Sequence, residues 1–165
     1  MIFATSRGKI LSVVPDYVSM RIYLAAPLFS QAEREFNAKV SEGLRSEGFD
    51  VFLPQENTEV TEIPDTDEKR RRLLTGFFSA DIEAIDSSDI LLIILDGRVP
   101  DEGACFELGY AYARGKICVG LKTDSRVSEM GTDNAMIVGS LGDNVASDLT
   151  SLATMLKSIS AIMQL

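Results

Sequence analysis

Histidine is absent from this sequence of 165 residues. Its absence excludes the Ser-His-Asp and Cys-His forms of nucleophilic catalysis. It also excludes the usual zinc sites that use His ligands. Any acid–base or nucleophilic chemistry must therefore come from carboxylates, Tyr, Lys, Ser or Cys.

Cysteines and long apolar runs are also scarce. Cys105 and Cys118 both have apolar sequence neighbours, so we expect buried free thiols and no disulfide. Free thiols fit a reducing compartment. The longest apolar run, residues 90–95, is far shorter than the roughly 20 residues that span a bilayer. Residues 1–19 lack the pattern of a signal peptide. We therefore expect a cytoplasmic protein without a membrane partner.

Basic residues are fewer than acidic residues, 16 against 25, and the net charge is -9. Binding to a nucleic acid polymer requires clustered Lys and Arg to neutralise phosphates. The only basic run, residues 69–72, is typical of a solvated helix face. The composition therefore favours a small, weakly charged molecule as partner over DNA or RNA.

Apolar patterning predicts strands alternating with helices. Residues 21–25, 49–53, 90–95 and 117–121 read as strands, and a last short strand is expected near Val145. A first helix is predicted after Ser30, and a second begins at Asp65, Thr66 or Asp67. Two further helices are predicted, one over residues 103–114 and one at the C-terminus. Polar loops are expected at residues 54–65 and 123–133. The second helix should bury a stripe that consists of Leu73, Leu74, Phe77, Phe78, Ile82 and Ile85.

This alternation predicts an α/β protein with a doubly wound, flavodoxin-like or Rossmann-like three-layer fold. Its five-stranded sheet should be mainly parallel, because residues 90–95 are apolar throughout, as in a strand buried on both faces. The length predicts one domain. We assign it to residues 20–165, with residues 1–19 as an N-terminal extension.

Acidic residues concentrate where such a sheet would bind a ligand. In open parallel sheets, ligands bind outside the carboxyl ends of the strands. Asp96, Asp101, Glu102 and Glu107 follow the most buried strand within twelve residues. Gly103 leaves space for a ligand nearby. From spacing alone, Glu107 could be either a catalytic carboxylate or an acid that suits the helix dipole.

Four segments resemble the nucleoside 2-deoxyribosyltransferase family. Residues 101–111 (DEGACFELGYA), followed by Gly115 and Lys116, resemble its D-x-G-x-x-x-E-x-G-x-A and G-K signature. Residues 22–29 (IYLAAPLF) are similar to its first strand and substrate loop. Residues 81–89 (DIEAIDSSD) are similar to the segment before its central strand, and residues 133–136 (DNAM) to its late N-x-M element. These segments occur in the family's order and cover nearly the whole predicted domain.

The resemblance implies a role for each of four residues. Glu107 would be the nucleophile that attacks the anomeric carbon and holds the sugar as a covalent ester. Asp101 would contact the base and handle its proton. Asp81 would hold the deoxyribose and help to position the nucleophile, and Tyr23 would orient the nucleophilic carboxylate. This chemistry needs one carboxylate nucleophile and one proton donor, and neither a metal ion nor a cofactor.

Further residues are expected to bind substrate. They are Ala25, Pro27, Phe29, Asp96, Gly103, Asn134 and Met136. The position matching Asn134 reaches the sugar in a neighbouring subunit's site in the family. The resemblance therefore also implies a homo-oligomer with shared active sites.

The expected activity is cleavage of an N-glycosidic bond and transfer of 2-deoxyribose between a deoxynucleoside and a free nucleobase. One alternative is hydrolysis of deoxynucleosides or their 5'-monophosphates. Nucleosides are favoured because residues 25–29 are apolar and Pro27 has no N–H for a phosphate. A second alternative is a non-catalytic nucleoside- or nucleotide-binding domain. A nucleotide-binding regulator is disfavoured because no G-x-G-x-x-G or Walker-type loop is present.

Overall fold

The computed structural model describes residues 19–57, 63–126 and 133–163. Residues 1–18 of the predicted N-terminal extension lie outside the described residues. So do residues 58–62 and 127–132, which belong to the two predicted loops, and residues 164–165.

Five strands form one sheet within the described residues. They pair in the order β2-β1-β3-β4-β5, and every pair is parallel. This order is that of the flavodoxin-like doubly wound fold, so the predicted fold class is confirmed. The strands are β1 (Arg21–Ala25), β2 (Asp50–Phe52), β3 (Ile90–Ile94), β4 (Ile117–Leu121) and β5 (Val145–Ala146).

Local sequence signals determine the ends of the main helices. The helices are α1 (Gln31–Ser46), α2 (Asp67–Asp86), α3 (Glu102–Ala113), α4 (Ala135–Leu141) and α5 (Leu149–Met163). Ser30 begins α1 with the predicted capping box to Glu33, and Thr66 caps α2. Gly115 follows α3 with a φ of +72°, a conformation that favours glycine and lets the chain turn into β4.

The helices cover both faces of the sheet. Ile22 and Leu24 of β1 pack with α1 and α5 on one face. Tyr23 and Ala25 point to the opposite face, which α2, α3 and α4 cover. This division follows from the alternation of side chains along a strand. It places Tyr23 among the helices that carry the predicted catalytic acids.

The predicted buried stripe of α2 is only partly correct. Ile85 is buried, but Leu74 and Phe78 are 59% and 56% exposed. A helix of 20 residues is about 30 Å long. The neighbouring strands have five residues at most and span about 17 Å. The N-terminal half of α2 therefore has no sheet to pack against.

Two short elements were not predicted. Residues Pro54–Glu56 form a 3-10 turn at the start of the predicted loop, and α4 follows the second predicted loop. With only seven residues, α4 is too short to show a clear helical repeat. Among the described residues, each helix is too short or too polar to cross a bilayer.

Candidate active site

The candidate site lies between α2 and α3, above β1. Helix α3 packs Ala104, Leu108 and Ala111 against the sheet. Glu107 lies beside them, at the edge of this packed face. The Tyr23 hydroxyl, which belongs to a fully buried residue, donates a hydrogen bond of 2.7 Å to Glu107 Oε1. The structure thus brings together two residues that are 84 positions apart in the sequence.

Asp81 approaches the same pair from α2. Its carboxyl group is partly buried and interacts with the Tyr23 hydroxyl. A tyrosine hydroxyl has one hydrogen to donate, although its oxygen can also accept. It can therefore donate to only one of two ionised carboxylates. All three groups are hydrogen-bonded when Asp81 or Glu107 carries a proton, because that carboxyl group can then donate to the hydroxyl oxygen.

The pKa values of the two carboxyl groups reflect this crowding. Burial, together with the charges of Asp81 and Asp101, raises the pKa of Glu107 to about 7, against the opposing effect of the Tyr23 hydrogen bond. Burial also raises the pKa of Asp81. The pKa of Tyr23 is raised strongly by burial and by both acids, so Tyr23 stays a neutral donor. Perturbed acids of this kind cluster at functional sites.

Asp101 begins α3 as its N-cap. Its Oδ1 accepts a hydrogen bond of 2.9 Å from the backbone N–H of Ala104. A Cβ at position 103 would lie 3.1 Å from Asp101 Oδ1, which is tighter than ordinary packing. Gly103 therefore leaves room for the capping carboxylate, and its predicted role in leaving room for substrate stays a prediction.

The predicted substrate loop follows β1. Ala25 is buried, Pro27 is partly buried and Phe29 is 77% exposed. The side chain of Asn37, only 2% exposed, donates to the carbonyl of Pro27 at 2.8 Å and to Gln55 Oε1 at 3.1 Å. Asn37 thus connects the loops that follow β1 and β2.

Asp96 connects the loops that follow β3 and β4. Its Oδ1 accepts hydrogen bonds from the backbone N–H groups of Thr123 and Asp124, at 2.6 and 3.1 Å. Its Oδ2 accepts from the Thr123 hydroxyl at 2.5 Å. The carboxylate is thus engaged within the protein, and its predicted contact with substrate stays a prediction.

Asn134 and Met136 lie at the start of α4, away from the side of α3 on which Glu107 meets Tyr23. Asn134 is the N-cap of α4, where its Oδ1 accepts from the N–H of Met136 at 2.9 Å. Both residues line an apolar groove of about 580 Å³ between α3 and α4, whose lining does not include Glu107. Within one chain, the structure therefore does not join Asn134 to the Tyr23–Glu107 pair.

Sequence reasoning missed Asn37 and Asp86. Asn37 is a polar residue on the apolar face of α1, in helical register with Val40 and Leu44, and this spacing could have identified it. Asp86 binds Tyr110 and Arg114 across the helices, at distances of 3.1 and 2.9 Å. No local pattern signals such a contact. Among the described residues, no cluster of three or more metal-ligating side chains occurs.

Replacing Tyr23 with phenylalanine is expected to shift the pH dependence of activity. The hydroxyl lowers the pKa of Glu107, so its removal raises that pKa above the value of about 7. A hydrogen bond to a charged group is worth about 1.5–3 kcal/mol, so the rising limb of kcat/KM should move up by about one to two pH units. A pH profile of both proteins measures this shift. An unmoved limb would contradict the role of Tyr23.

Comparison with known proteins identifies the family of the chain. The sequence model of the nucleoside 2-deoxyribosyltransferase family matches residues 22–143. A conserved protein from Enterococcus faecalis V583 is 32% identical, with 86% of this chain and 99% of that chain covered and a TM-score of 0.70. A 2-deoxyribosyltransferase from Bacillus psychrosaccharolyticus is 30% identical, with 81% and 90% covered and a TM-score of 0.67.

A 2-deoxyribosyltransferase from Leishmania mexicana is 20% identical, with 86% and 97% covered and a TM-score of 0.62, and supports the fold. A search of the curated proteins gives no match. The fold and the family match define an α/β enzyme. The chain belongs to the nucleoside 2-deoxyribosyltransferase family.

Proposed function

We propose that this enzyme transfers 2-deoxyribose between nucleobases through a covalent intermediate on Glu107. The observation that carries the proposal is the Tyr23–Glu107 hydrogen bond of 2.7 Å, with Asp81 and Asp101 close enough to raise the pKa of the same glutamate. The enzymatic activity of the Bacillus relative, a 2-deoxyribosyltransferase, supports the same reaction here.

In the first step, the Glu107 carboxylate attacks the anomeric carbon of the deoxynucleoside. The C–N bond breaks, and its electron pair goes to the departing base. Asp101 donates the proton that neutralises the base, and Tyr23 holds the carboxylate in line. The product is a deoxyribosyl ester on Glu107, as in retaining glycosidases with a carboxylate nucleophile. Asp81 holds the sugar through its hydroxyl groups.

In the second step, a nitrogen of the incoming base attacks the same carbon. Its proton passes to Asp101, and the Glu107 carboxylate leaves. Both steps invert the anomeric carbon, so the configuration is retained overall. Because the first base leaves before the second binds, the kinetics should be ping-pong. If water takes the place of the base, the result is hydrolysis.

Incubation with thymidine and free adenine tests transfer against hydrolysis. Transfer gives deoxyadenosine and thymine, whereas hydrolysis gives free deoxyribose and thymine. Deoxyinosine with adenine serves as the purine donor. Release of free sugar alone, at the same rate with and without adenine, would contradict the proposed transfer.

Nucleosides are proposed as donors in preference to 5'-monophosphates. A phosphate near β1 would need free N–H groups at the N-terminus of α1. The N–H groups of Phe29 and Ser30 already donate to Glu33 Oε2, at 3.0 and 2.7 Å. The carboxylate of Glu33 would also repel a phosphate. Strong preference for deoxyinosine 5'-monophosphate over deoxyinosine would overturn this choice.

We also propose a homo-oligomer with shared active sites. Phe78 and Phe106 are 56% and 57% exposed, and their rings lie 6.2 Å apart between centroids. Phe106 adjoins Glu107, and Phe78 lies one helical turn before Asp81. An exposed apolar patch of this kind is typical of an interface. A second copy that covers it would also exclude water from the carboxylates.

Mixed oligomers test the shared site. Glu107→Ala removes the nucleophile, and Asn134→Ser removes the amide but retains a good helix cap. If Asn134 serves the neighbouring subunit, a mixed dimer contains one intact site. Co-expression should then restore about one quarter of wild-type activity, the fraction expected for random pairing across a two-fold interface. Each variant expressed alone is the control. Mixed oligomers that form but remain inactive would contradict sharing.

A further inference from the structure

Hydrogen bonds join the C-terminal ends of α2 and α3, further along both helices than the candidate site. The Tyr110 hydroxyl donates to Asp86, lying 3.1 Å from each carboxylate oxygen, and Arg114 Nε donates to Asp86 Oδ1 at 2.9 Å. Lys116 Nζ donates to the backbone carbonyls of Asp86 and Ser88, at 2.6 and 2.8 Å. We call Asp86, Tyr110, Arg114 and Lys116 the α2–α3 clasp.

The clasp is directly connected to the two helices that carry the carboxylates. Tyr110 follows Glu107 by three residues and lies about 4.5 Å further along α3. Asp86 follows Asp81 by five residues and lies about 7.5 Å further along α2. Both helices run from the carboxyl edge of the sheet towards its amino edge, because each precedes a parallel strand. A shift at the clasp therefore changes the separation of Asp81 and Glu107.

The core holds α2 near its C-terminal end, where Ala84 and Ile85 are buried. The N-terminal half of α2 exposes Leu74 and Phe78. At the opposite end, the last carbonyls of a helix have no partner within the helix. Lys116 supplies one for Asp86, and the turn at Gly115 brings this lysine into position. The Gly115–Lys116 pair, which the family signature contains, thereby gains a structural explanation.

We propose that the α2–α3 clasp is a set of positioning residues that fixes the spacing between Asp81 and Glu107. The proposal rests on the proposed function, because it concerns the carboxylates that we assign to catalysis. The hydrogen bonds of the clasp join its residues to one another and to the Ser88 carbonyl, and we assign them no contact with substrate. They act through the helices on which Asp81 and Glu107 lie.

The ion pair of the clasp contributes little to stability. The side chains of Arg114 and Asp86 are 55% and 36% exposed. Ion pairs at this exposure contribute about 0–1 kcal/mol to stability. Catalysis is far more sensitive to geometry, since a misplacement of about 1 Å can lower a rate by about 10²-fold. Loosening the clasp should therefore lower kcat more than it lowers stability.

The test is Tyr110→Phe, which removes one hydroxyl and keeps the ring. We expect kcat for deoxyribosyl transfer to fall about 10-fold, with KM changed by less than about 3-fold. Tyr112→Phe, a hydroxyl deletion on the exposed side of the same helix, is the matched control. Asp86→Ala, which removes the acceptor of this hydrogen bond, should lower kcat at least as much. The double variant should lose less than the product of the two effects, because both substitutions remove the same contact.

A second measurement does not depend on turnover. The groups that face Glu107 are Tyr23, Asp81 and Asp101. If α2 moves away in Tyr110→Phe, the charge of Asp81 recedes and water enters. The Glu107 titration, followed by carbon NMR of labelled glutamate side chains, should then shift to lower pH by about half a unit or more.

The outcomes separate two kinds of failure. Wild-type protein that acts on no deoxynucleoside would contradict the proposed function, and the NMR titration would still test the clasp. A Tyr110→Phe variant with wild-type kcat and an unmoved Glu107 titration would overturn the clasp. A Tyr110→Phe variant that has a lower melting temperature, but neither a lower kcat nor a shifted Glu107 titration, would also overturn the clasp.

Discussion

Replacing Glu107 with glutamine is expected to lower kcat for deoxyribosyl transfer by at least about 10³-fold. The amide can still accept the hydrogen bond from Tyr23, but it has no charge with which to form the glycosyl ester. Wild-type protein incubated with a 2-fluorinated deoxyribosyl donor should gain the mass of one sugar on the peptide that contains Glu107. The variant should gain none.

Glu102→Gln is the matched control for this experiment. Glu102 lies in the first turn of the same helix and is exposed, so its replacement should leave the rate within about 2-fold of wild type, as is usual for surface substitutions. Retention of more than about one tenth of the activity by Glu107→Gln would show that another group is the nucleophile, since removal of a nucleophile usually lowers kcat far more. An adduct on a different peptide would show the same.

The same substitution should increase stability at high pH. The pKa of Glu107 is about 7 in the folded protein, above its ordinary value of 4.5. Between these values the folded state binds more protons than the unfolded state, so wild-type stability falls as the pH rises through this window. Glutamine carries no titrating proton. Between about pH 5 and pH 8, the free energy of unfolding of Glu107→Gln should therefore rise relative to that of wild type by on the order of 2–3 kcal/mol, as measured by chemical unfolding.

Opposite effects on rate and stability would identify Glu107 as a residue retained for chemistry. A partly buried carboxylate between Asp81 and Asp101 destabilises the folded chain once it ionises. A structural acid in the first turn of a helix, which the sequence spacing allowed for Glu107, would instead stabilise the chain through the helix dipole. In the structure α3 begins at Glu102, so Glu107 lies beyond that turn. The two interpretations that spacing left open for Glu107 thus predict opposite signs in one unfolding experiment.

Much of the fold could be predicted because its signals are local. The fully apolar run that contains β3, the Ser30 capping box and Gly115 at the end of α3 each act within a few residues. The exposure of Leu74 and Phe78 could not be predicted in this way. It depends on how far α2 projects beyond the sheet, and helical periodicity contains no information on that length.

The composition of the candidate site could be predicted from the residues themselves, whereas the link between Tyr23 and Glu107 was expected only from the family resemblance. The absence of histidine and the acidic run after β3 pointed to carboxylate chemistry before any contact was known. The bond between Tyr23 and Glu107 depends on the alternation of side chains along β1 and on the position of α3 above it. Asp96 and Asn37 connect loops that are distant in sequence. Such partners follow from tertiary packing alone.

Replacing Asp101 with asparagine is expected to separate its two roles. Asparagine caps a helix as well as aspartate does, so the hydrogen bond to the N–H of Ala104 should persist with little change in stability. The amide cannot donate a carboxyl proton to the departing base. The rate of cleavage of deoxyinosine should fall about 10²–10³-fold, as for the loss of a general acid. Steady-state rates and the free energy of unfolding measure the two effects separately.

Asp101→Ala and an activated donor provide two further tests of the roles of Asp101. Alanine removes the cap as well as the acid, so it should lower stability by about 1 kcal/mol in addition to the loss of rate. A deoxyguanosine methylated at N7 has a positively charged base that leaves without protonation. Asp101→Asn should therefore cleave this donor at nearly the wild-type rate, because the variant lacks only the proton that this base does not need. An equal loss with both donors would mean that Asp101 positions the substrate instead of protonating it.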